Sequence, residues 1–143
     1  MDSNTPRTFT SSDGFCIIAG RNAVQNDYIT TKMTAPLDIW LHVVDGPGSH
    51  VVIQCGHLHN ADLTLSIMEA AQIALYHSSL RECESADVMY TCGMNVSKPE
   101  GSEPGTVSVT NWKKITVHND PDLVKRLCTN VHESLKPKVK LSQ

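Results

Sequence analysis

The residues best suited to chemistry lie on one face of a predicted strand. Between residues 37 and 44 aliphatic residues alternate with others, so Asp38, Trp40 and His42 point to one side. An indole and an imidazole side by side can stack on unpaired bases, and a carboxylate can accept hydrogen bonds from exocyclic amino groups. The alternative is a second core layer, in which Trp40 lies under a helix while Asp38 and His42 hydrogen-bond to each other. Both interpretations fit the alternation.

Ser49 and His50 follow a turn and are predicted to lie near the same face. With Asp38 they have the residue types of a nucleophile set, in which a histidine removes the proton of a serine hydroxyl. The chain has no G-x-S-x-G sequence, the turn that exposes a nucleophilic serine in many hydrolases. We therefore predict no catalytic residue and assign Ser49 and His50 to binding. Lys98, in a loop rich in Pro and Gly, is either a phosphate contact or a solvated lysine.

A second candidate is a phosphate site where a helix is predicted to begin, at Gly20-Arg21-Asn22. The first N–H groups of a helix are without partners and attract anions, and the guanidinium of Arg21 matches a phosphate with two parallel hydrogen bonds. Four residues could make this contact: Arg21, Asn22, Gln25 and Asn26. The alternative is an ordinary helix start, in which Asn22 caps the free N–H groups and Arg21 pairs with Asp27 or Asp38.

A metal site is considered at Cys55-x-His57-x-His59, because alternate residues of a strand share one side and zinc accepts these ligands. Gly56 and Asn60 indicate that the strand is already ending there, which favours a solvated loop. The five cysteines are scattered without a C-x-x-C pair, as is typical of reduced thiols in a cytosolic protein. We predict no metal site and no cofactor.

Hydrophobic periodicity and turn signals divide the chain into short strands and helices. Helices are predicted at about 23–33, with Asn22 as N-cap, and at about 67–80, where Ser66-Ile67-Met68-Glu69 has the form of a capping box. A shorter helix is predicted at 121–127. Strands are predicted at 7–10, 15–19, 37–44, 49–55 and 87–92, and in a hairpin whose arms, 107–109 and 115–117, flank residues 110–113.

The order of these elements predicts an α+β fold in a single domain, with a mixed or mostly antiparallel β-sheet and two main helices packed on it. Strand and helix periods place one set of apolar residues on facing surfaces, so we expect them to be buried together. The set comprises Ile39, Leu41, Val43, Val51, Ile53, Ala70, Ala71 and Ala74.

Charge is negative overall but unevenly distributed. The net charge is −3 at pH 7, with +3 on residues 122–143 and −6 on the remainder. We divide the chain into a flexible N-terminus (1–6), one domain (7–128) and a basic C-terminal tail (129–143) with Lys136, Lys138 and Lys140. The polar start lacks the layout of a signal peptide and no apolar run is long enough to span a bilayer, so we predict a cytoplasmic protein without membrane contact.

Four phrases of the sequence are far more specific than any single short motif. They are GRN-x-x-QND, D-I-W-L-H, P-G-S-H-V and K-P-x-G-x-x-P-G, and they lie in three of four matching segments: 11–27, 38–56 and 98–117, the fourth being 66–79. In this order the segments resemble the NFACT-R module, the RNA-binding part of ribosome quality-control proteins. The resemblance implies a module that binds structured RNA, either tRNA or ribosomal RNA, or the ribosome, in translation or ribosome-associated quality control.

Combined with the residues considered above, this resemblance gives a set of candidate RNA-binding residues. They are Arg21, Asn22, Gln25, Asn26, Asp38, Trp40, His42, Ser49, His50 and Lys98. The chain has no room for the family's N-terminal domain, helix-hairpin-helix segment or coiled coil. We therefore expect a stand-alone copy, whose missing parts a separate protein could supply. Two alternatives are a protein-interaction adaptor, which the acidic body favours, and an RNA-modifying enzyme using Asp38, His42 and His50.

Overall fold

A computed structural model describes residues 5–58 and 61–128 of the chain. These residues form a single α+β domain, as the order of elements predicted. The helices are α1 (Ala23–Lys32), α2 (Thr64–Tyr76) and α3 (Pro121–Leu127). The strands are β1 (Arg7–Thr10), β2 (Cys16–Ala19), β3 (Ile39–Val43), β4 (Val51–Gln54), β5 (Ser85–Cys92), β6 (Val96–Ser97), β7 (Ser108–Val109) and β8 (Lys113–His118).

The main sheet has the strand order β1-β2-β4-β3-β5-β8, and each neighbouring pair runs antiparallel. The predicted hairpin across residues 110–113 is wrong. Strand β7 pairs with β6, Val109 opposite Val96, whereas β8 pairs with β5, Ile115 opposite Val88. The chain changes direction at Asn111, whose φ is 50°, and its carbonyl accepts a hydrogen bond from the Thr91 hydroxyl. This bond directs β8 to the edge of the main sheet.

One face of the sheet is covered by α2 and carries the larger apolar core. Alternation along β3 sends Ile39, Leu41 and Val43 to this face, where they meet the alanines of α2. Small side chains there let the helix approach the strands closely. The eight residues expected to be buried together all belong to this cluster, which confirms the prediction.

The opposite face is covered by α1 over a much smaller apolar cluster. Its buried members are Ile18, Ile29, Trp40 and Val52. Trp40 is only 1% exposed. Trp40 therefore belongs to a second core layer. Its indole is not available as a stacking platform. An antiparallel sheet covered by helices on both faces buries both sides of its central strands.

The capping box predicted at the start of α2 is wrong. The helix begins at Thr64, without a side-chain cap, so Ser66 and Glu69 lie inside it and are buried. Glu69 instead accepts hydrogen bonds from the N–H (2.8 Å) and the hydroxyl (2.6 Å) of Ser12, and Ser66 Oγ bonds the hydroxyl of Ser11. Both side chains thus hold the turn between β1 and β2, far away in sequence.

Helix α2 ends earlier than predicted, at Tyr76 instead of about residue 80. Ser78 forms a bridge with Gly48, and the N–H of Ser79 donates to the carbonyl of Pro47 at 3.0 Å. Residues 77–81 consequently leave the helix and run along the loop before β4. This departure brings the end of α2 to the candidate site described below.

The short helix α3 has the predicted bounds and packs against α2. Asp120 is its N-cap, with a carboxylate oxygen that accepts from the N–H of Leu123. The predicted basic tail, 129–143, lies outside the described residues. Across the described part of the chain, no helix is both long and apolar enough to cross a membrane.

Candidate nucleic-acid interface

The start of α1 is held by its own polar side chains. Asn22 Oδ1 accepts a hydrogen bond from the N–H of Gln25 at 2.8 Å, which confirms Asn22 as the N-cap. Gln25 reaches back and accepts from the N–H of Arg21 at 2.7 Å. These reciprocal bonds use the two amide side chains that the sequence assigned to a phosphate, and they leave the side chain of Arg21 pointing outward.

Asn26, one turn further on, joins α1 to the loop before β4. Its side-chain oxygen accepts from the N–H of His50 at 3.0 Å, and its nitrogen donates to the carbonyl of Gly48 at 3.3 Å. A Cβ on Gly20 would collide with this amide, so the close approach requires glycine. Ser49 completes the joint, because its hydroxyl donates to the carbonyl of Gly20 at 2.6 Å.

The loop between β6 and β7 docks on the same end of α1 through Asp27. The Nζ of Lys98 lies 3.2 Å from Asp27, and the other oxygen of this carboxylate accepts from the N–H of Gly105 at 2.9 Å. Lys98 also donates to the carbonyls of Glu103 and Thr106. The ammonium of Lys98 therefore holds its own loop together. This differs from both roles suggested by the sequence, a phosphate contact and a solvated lysine.

A chain of hydrogen bonds runs from the second core layer to this loop. Trp40 Nε1 donates to the hydroxyl of Thr30 at 3.0 Å, and that hydroxyl lies 2.7 Å from His50 Nδ1. His50 Nε2 lies 3.1 Å from the carbonyl of Gly105, which can only accept, so Nε2 carries the proton and Nδ1 accepts from Thr30. Burial, and then the nearby His42, lower the pKa of His50 to about 4.

His42 is the partly exposed member of the predicted stacking face. Its ring is stacked on Trp40, with centroids 5.9 Å apart and planes 9° apart, and meets His50 edge-on. Burial lowers its pKa. Trp40 therefore supports His42 from within the core instead of contacting a ligand itself.

Asp38 has a structural position. Its two carboxylate oxygens accept from the N–H of Ala35 at 2.8 Å and of Gly56 at 2.7 Å, so it joins the loops on either side of the sheet end. Asp38 makes these two hydrogen bonds instead of the bond to His42 that the alternative interpretation predicted. Asp38, Ser49 and His50 also bond three different partners, so the hydrogen bonds of a nucleophile set are not formed among them.

The residues considered for zinc lie in different surroundings. Cys55 is 2% exposed within the larger apolar core, whereas His57 is exposed on the loop. His59 lies outside the described residues. Within residues 5–58 and 61–128, no three His, Cys, Asp or Glu side chains come together in a way that could hold a metal ion.

The loops joined by these contacts enclose a cavity of about 650 Å³, which we call the arginine cavity. Its walls come from residues 20–23, 47–49, 77–81 and 104–106. Arg7, Arg21 and Arg81 contribute their side chains to it, and His42 and His77 also line it. Among the described residues that line this cavity there is no aspartate or glutamate.

The cations of the arginine cavity are close enough to influence one another. Burial and then repulsion by Arg21 lower the pKa of Arg7. Burial and then the charges of Arg7, Arg81 and Arg21 lower the pKa of His77 to about 4. The guanidinium of Arg21 donates to the carbonyl of Thr5 at 2.7 Å, and Arg81 lies 4.0 Å from Glu82 at the exposed surface. The result is a concave surface that attracts anions.

Sequence reasoning found Arg21 but missed Arg7, Arg81 and His77. Arg7 lies in β1, and His77 and Arg81 lie in the segment after α2; they form no charged run or motif, so no local signal marks them. The departure of residues 77–81 from α2 is what brings Arg81 and His77 to Arg21. Of the ten candidate residues, Arg21, Asn22, Asn26, His42 and Ser49 line the cavity. Of the remaining five, Gln25, Trp40, His50 and Lys98 lie behind or beside its walls, whereas Asp38 lies at the other end of β3.

Fold and cavity together define a small α+β domain with an arginine-lined surface of the kind that binds phosphate groups. The sequence model of the NFACT protein RNA binding domain matches residues 6–111 of the chain. The chain belongs to this family, as its four sequence phrases predicted.

Similar proteins support the same assignment. The chain is 42% identical over 120 residues to the Rqc2 homolog RqcH of Bacillus subtilis, and 38% identical over 113 residues to that of Streptococcus pneumoniae. These matches cover 84% and 78% of this chain. The chain spans only about a fifth (20%) of the length of each relative. A match to the Coiled-coil domain-containing protein 25 homolog of Dictyostelium discoideum has 29% identity over 100 residues, covering 64% of this chain and 48% of that protein.

A solved structure confirms the fold. The C-terminal part of the fibronectin/fibrinogen-binding protein from Streptococcus suis matches with a TM-score of 0.80 and 31% identity. The match covers 87% of this chain and 49% of that structure.

Proposed function

We propose that this domain binds structured RNA, either tRNA or ribosomal RNA, in ribosome-associated quality control in the cytoplasm. Membership of the NFACT RNA-binding family and the similarity to RqcH proteins support this proposal. The observation that carries it is the arginine cavity, which is lined by three arginines and, among its described lining residues, by no carboxylate. Arginine recognises phosphate through two parallel hydrogen bonds, which makes it the residue best suited to this role.

In this proposal, residues of three of the four sequence phrases hold the walls of the arginine cavity in place. Asn26 and Ser49 fix the loop before β4 to the start of α1, and Asp27 and Lys98 fix the loop between β6 and β7 to the same helix. Three walls of the cavity are therefore held rigidly around the arginines. A preorganised site loses less conformational entropy on binding, which favours affinity.

We propose further that the domain acts by binding and not by catalysis. Asp38, His42 and His50, the residues of the weaker enzymatic alternative, are engaged by backbone groups or by Thr30. The contact of His50 with Gly105 fixes a loop of the cavity, which is the structural task that Asn26 also performs, whereas Asp38 joins Ala35 and Gly56 at the other end of β3.

Titration of labelled tRNA and of a large-subunit ribosomal RNA fragment by fluorescence anisotropy tests the proposal. Arg21→Ala and Arg81→Ala should each weaken binding about tenfold, because each removes a charge-assisted contact to phosphate. Each should also reduce the slope of log affinity against log salt by about 0.7–0.9. The matched control is Lys113→Ala, an exposed cation on the edge strand β8, away from the cavity.

Two results would count against the proposal. Wild-type affinity and salt dependence in both folded arginine variants would exclude the arginine cavity as the RNA site. Failure to bind any RNA, with a ribosomal or RNA-processing protein retained instead, would favour the protein-interaction adaptor.

A further inference from the structure

A second cavity, of about 510 Å³, adjoins the arginine cavity, and we call it the aromatic cavity. Both cavities are lined by Arg7, Arg21 and His77, which we call the shared ridge. Beyond the ridge, four of the eight residues that line the aromatic cavity are apolar or aromatic. They are Pro6, Phe9, Tyr76 and Val124.

We propose that the two cavities are neighbouring subsites of one groove for single-stranded RNA, with the linking phosphate on the shared ridge and an unpaired nucleotide on either side. This inference rests on the proposed RNA binding and narrows it to an unpaired, single-stranded segment of the structured RNA. Each cavity is of the size that small ligands occupy in proteins, so each has room for about one nucleotide. Bases of a duplex are paired and stacked inside the helix, whereas unpaired bases can enter a concave site.

The aromatic cavity has the surface that a base requires. The rings of Tyr76 and His77 meet edge-on, with centroids 4.9 Å apart, and Phe9 lies on the other side of His77, at 6.2 Å. Tyr76 is half-buried, so part of its ring is open to the cavity, while Phe9 is buried beneath. Stacking on such rings accepts every base, since each has an aromatic face.

The arginine cavity is the more polar of the two subsites. Asn22, Ser79, Thr106 and the backbone of Gly48 lie in its walls and offer hydrogen-bonding groups. An unpaired base presents its pairing edge, which needs donors and acceptors of this kind. The two subsites therefore differ: one suits the face of a base and the other suits its edge.

Positive charge continues along both cavities. Arg81 lies in the arginine cavity, Arg7 and Arg21 lie on the shared ridge, and Lys125 lines the aromatic cavity. Among the described lining residues of either cavity there is no aspartate or glutamate. A positively charged groove with aromatic surface is the combination by which proteins bind single strands. Four of the chain's twelve lysines and arginines line the two cavities, although the net charge of the chain is −3.

The test compares three probes by anisotropy: a single-stranded RNA of twelve nucleotides, its blunt duplex of the same length, and an abasic ribose-phosphate strand. The single strand should bind at least tenfold more tightly than either of the others. Tyr76→Leu, which keeps apolar volume but removes the ring, should weaken the single strand about fivefold or more. The matched control is Tyr28→Leu, because Tyr28 is 56% exposed on α1 and lines neither cavity.

Amide NMR shifts keep the test independent of the stability of the Tyr76 variant. The single strand should shift signals of residues 7–9 and 124–125 as well as those of 20–22, and Lys125→Ala should weaken its binding. Tighter binding of the duplex, or equal binding of the abasic strand, would overturn the single-strand groove while RNA binding stands. Equal displacement by polyphosphate would also overturn it, since charge alone would then explain the affinity. If none of the three probes binds while tRNA or the ribosomal RNA fragment does, the groove is overturned and the proposed function stands. If tRNA and ribosomal RNA also fail to bind, the proposed function itself fails.

Discussion

The two faces of the sheet are stabilised in different ways. Against α2 lies a continuous apolar core to which β3 contributes Leu41 and its aliphatic neighbours. On the side of α1 the described residues bury only four apolar side chains, one of them, Ile29, from α1 itself. The space between them and the loops holds the hydrogen-bonded chain of Trp40, Thr30 and His50. The family phrases are concentrated on the α1 face.

The two faces therefore have different roles: the α2 face provides most of the stability, and the α1 face fixes the positions of the loops around the arginine cavity. Apolar burial is non-directional and contributes about 25 cal/mol per Å², so the apolar core on the α2 face can stabilise the domain without fixing the loops of the arginine cavity. Hydrogen bonds are directional and add little net stability when satisfied, but a buried group without a partner is costly. The α1 face therefore selects one arrangement of the loops, and with it one shape of the arginine cavity.

The largest expected effect is on the α2 face. Leu41→Ala should lower the free energy of unfolding by about 2–5 kcal/mol, because Leu41 is fully buried and its loss leaves a cavity. Urea denaturation measures this change. RNA affinity, measured at a temperature where the variant is folded, should be unchanged.

A loss of RNA affinity in folded Leu41→Ala would break the separation between the two faces. Ile18→Ala is the informative companion, because Ile18 is equally apolar and buried but lies on the α1 face. It should reduce both stability and RNA affinity.

The next effect concerns the hydrogen-bonded chain on the α1 face. Thr30→Val leaves both Trp40 Nε1 and His50 Nδ1 without a partner, so it should lower the free energy of unfolding by about 1–3 kcal/mol. RNA affinity should also fall, since His50 holds the loop that carries Gly105. Thr31→Val is the matched control, because the hydroxyl of Thr31 is exposed and bonds only within α1. If Thr30→Val and Thr31→Val bind RNA equally well, the hydrogen bonds between Trp40, Thr30 and His50 do not position the walls of the arginine cavity.

The α2 face could be predicted from the sequence because its signal is local. The alternation of Ile39, Leu41 and Val43 and the alanines at helical spacing identify the two surfaces that meet. The turn between β1 and β2 was likewise predicted from its turn-forming residues, and the start of α1 was predicted from Asn22 as N-cap.

The errors arose where a local pattern had a distant partner. Ser66 and Glu69 have the spacing of a capping box, but their hydrogen bonds go to Ser11 and Ser12, more than fifty positions earlier. The turn at 110–113 resembles a hairpin, but its two arms pair with β6 and β5. Pairing of this kind is decided by tertiary contacts, which periodicity alone does not encode.

The candidate site was the least predictable part. Net charge pointed to an acidic body with a basic tail, whereas the arginine cavity gathers Arg7, Arg21 and Arg81 from three separate elements. Trp40 and Lys98 have the chemistry of RNA contacts, but the indole is buried and the ammonium is paired with Asp27. Residue type identifies what a side chain could do, and the fold decides whether that side chain reaches the surface.

A third prediction concerns acid. Burial and the nearby His42 lower the pKa of His50 from 6.5 to about 4, so the unfolded chain binds more protons than the folded domain between these values. The stability contributed by neutral His50 is present above pH 6.5 and is lost as the pH falls toward 4. The slope from this group approaches about 1.4 kcal/mol per pH unit, and His77 acts in the same direction.

Urea denaturation of the wild type and of His50→Gln at pH 7, 5.5 and 4.5 checks this prediction. The variant should show a shallower dependence on pH, whatever its stability at pH 7, because glutamine does not titrate. An identical dependence in the two proteins would mean that His50 is not held neutral by the α1 face.

The smallest expected effect is that of Lys98→Met, and it distinguishes a residue that positions the cavity from one that contacts RNA. Lys98 and Asp27 are a partly buried pair, with side chains 22% and 24% exposed, so the free energy of unfolding should fall by about 1 kcal/mol or less. RNA affinity should fall a few-fold as the loop loosens. The slope of log affinity against log salt should not change, because Lys98 neutralises Asp27 and not a phosphate. Arg21→Ala should reduce that slope by about 0.7–0.9, and an equal reduction in Lys98→Met would show that Lys98 leaves Asp27 to contact the RNA.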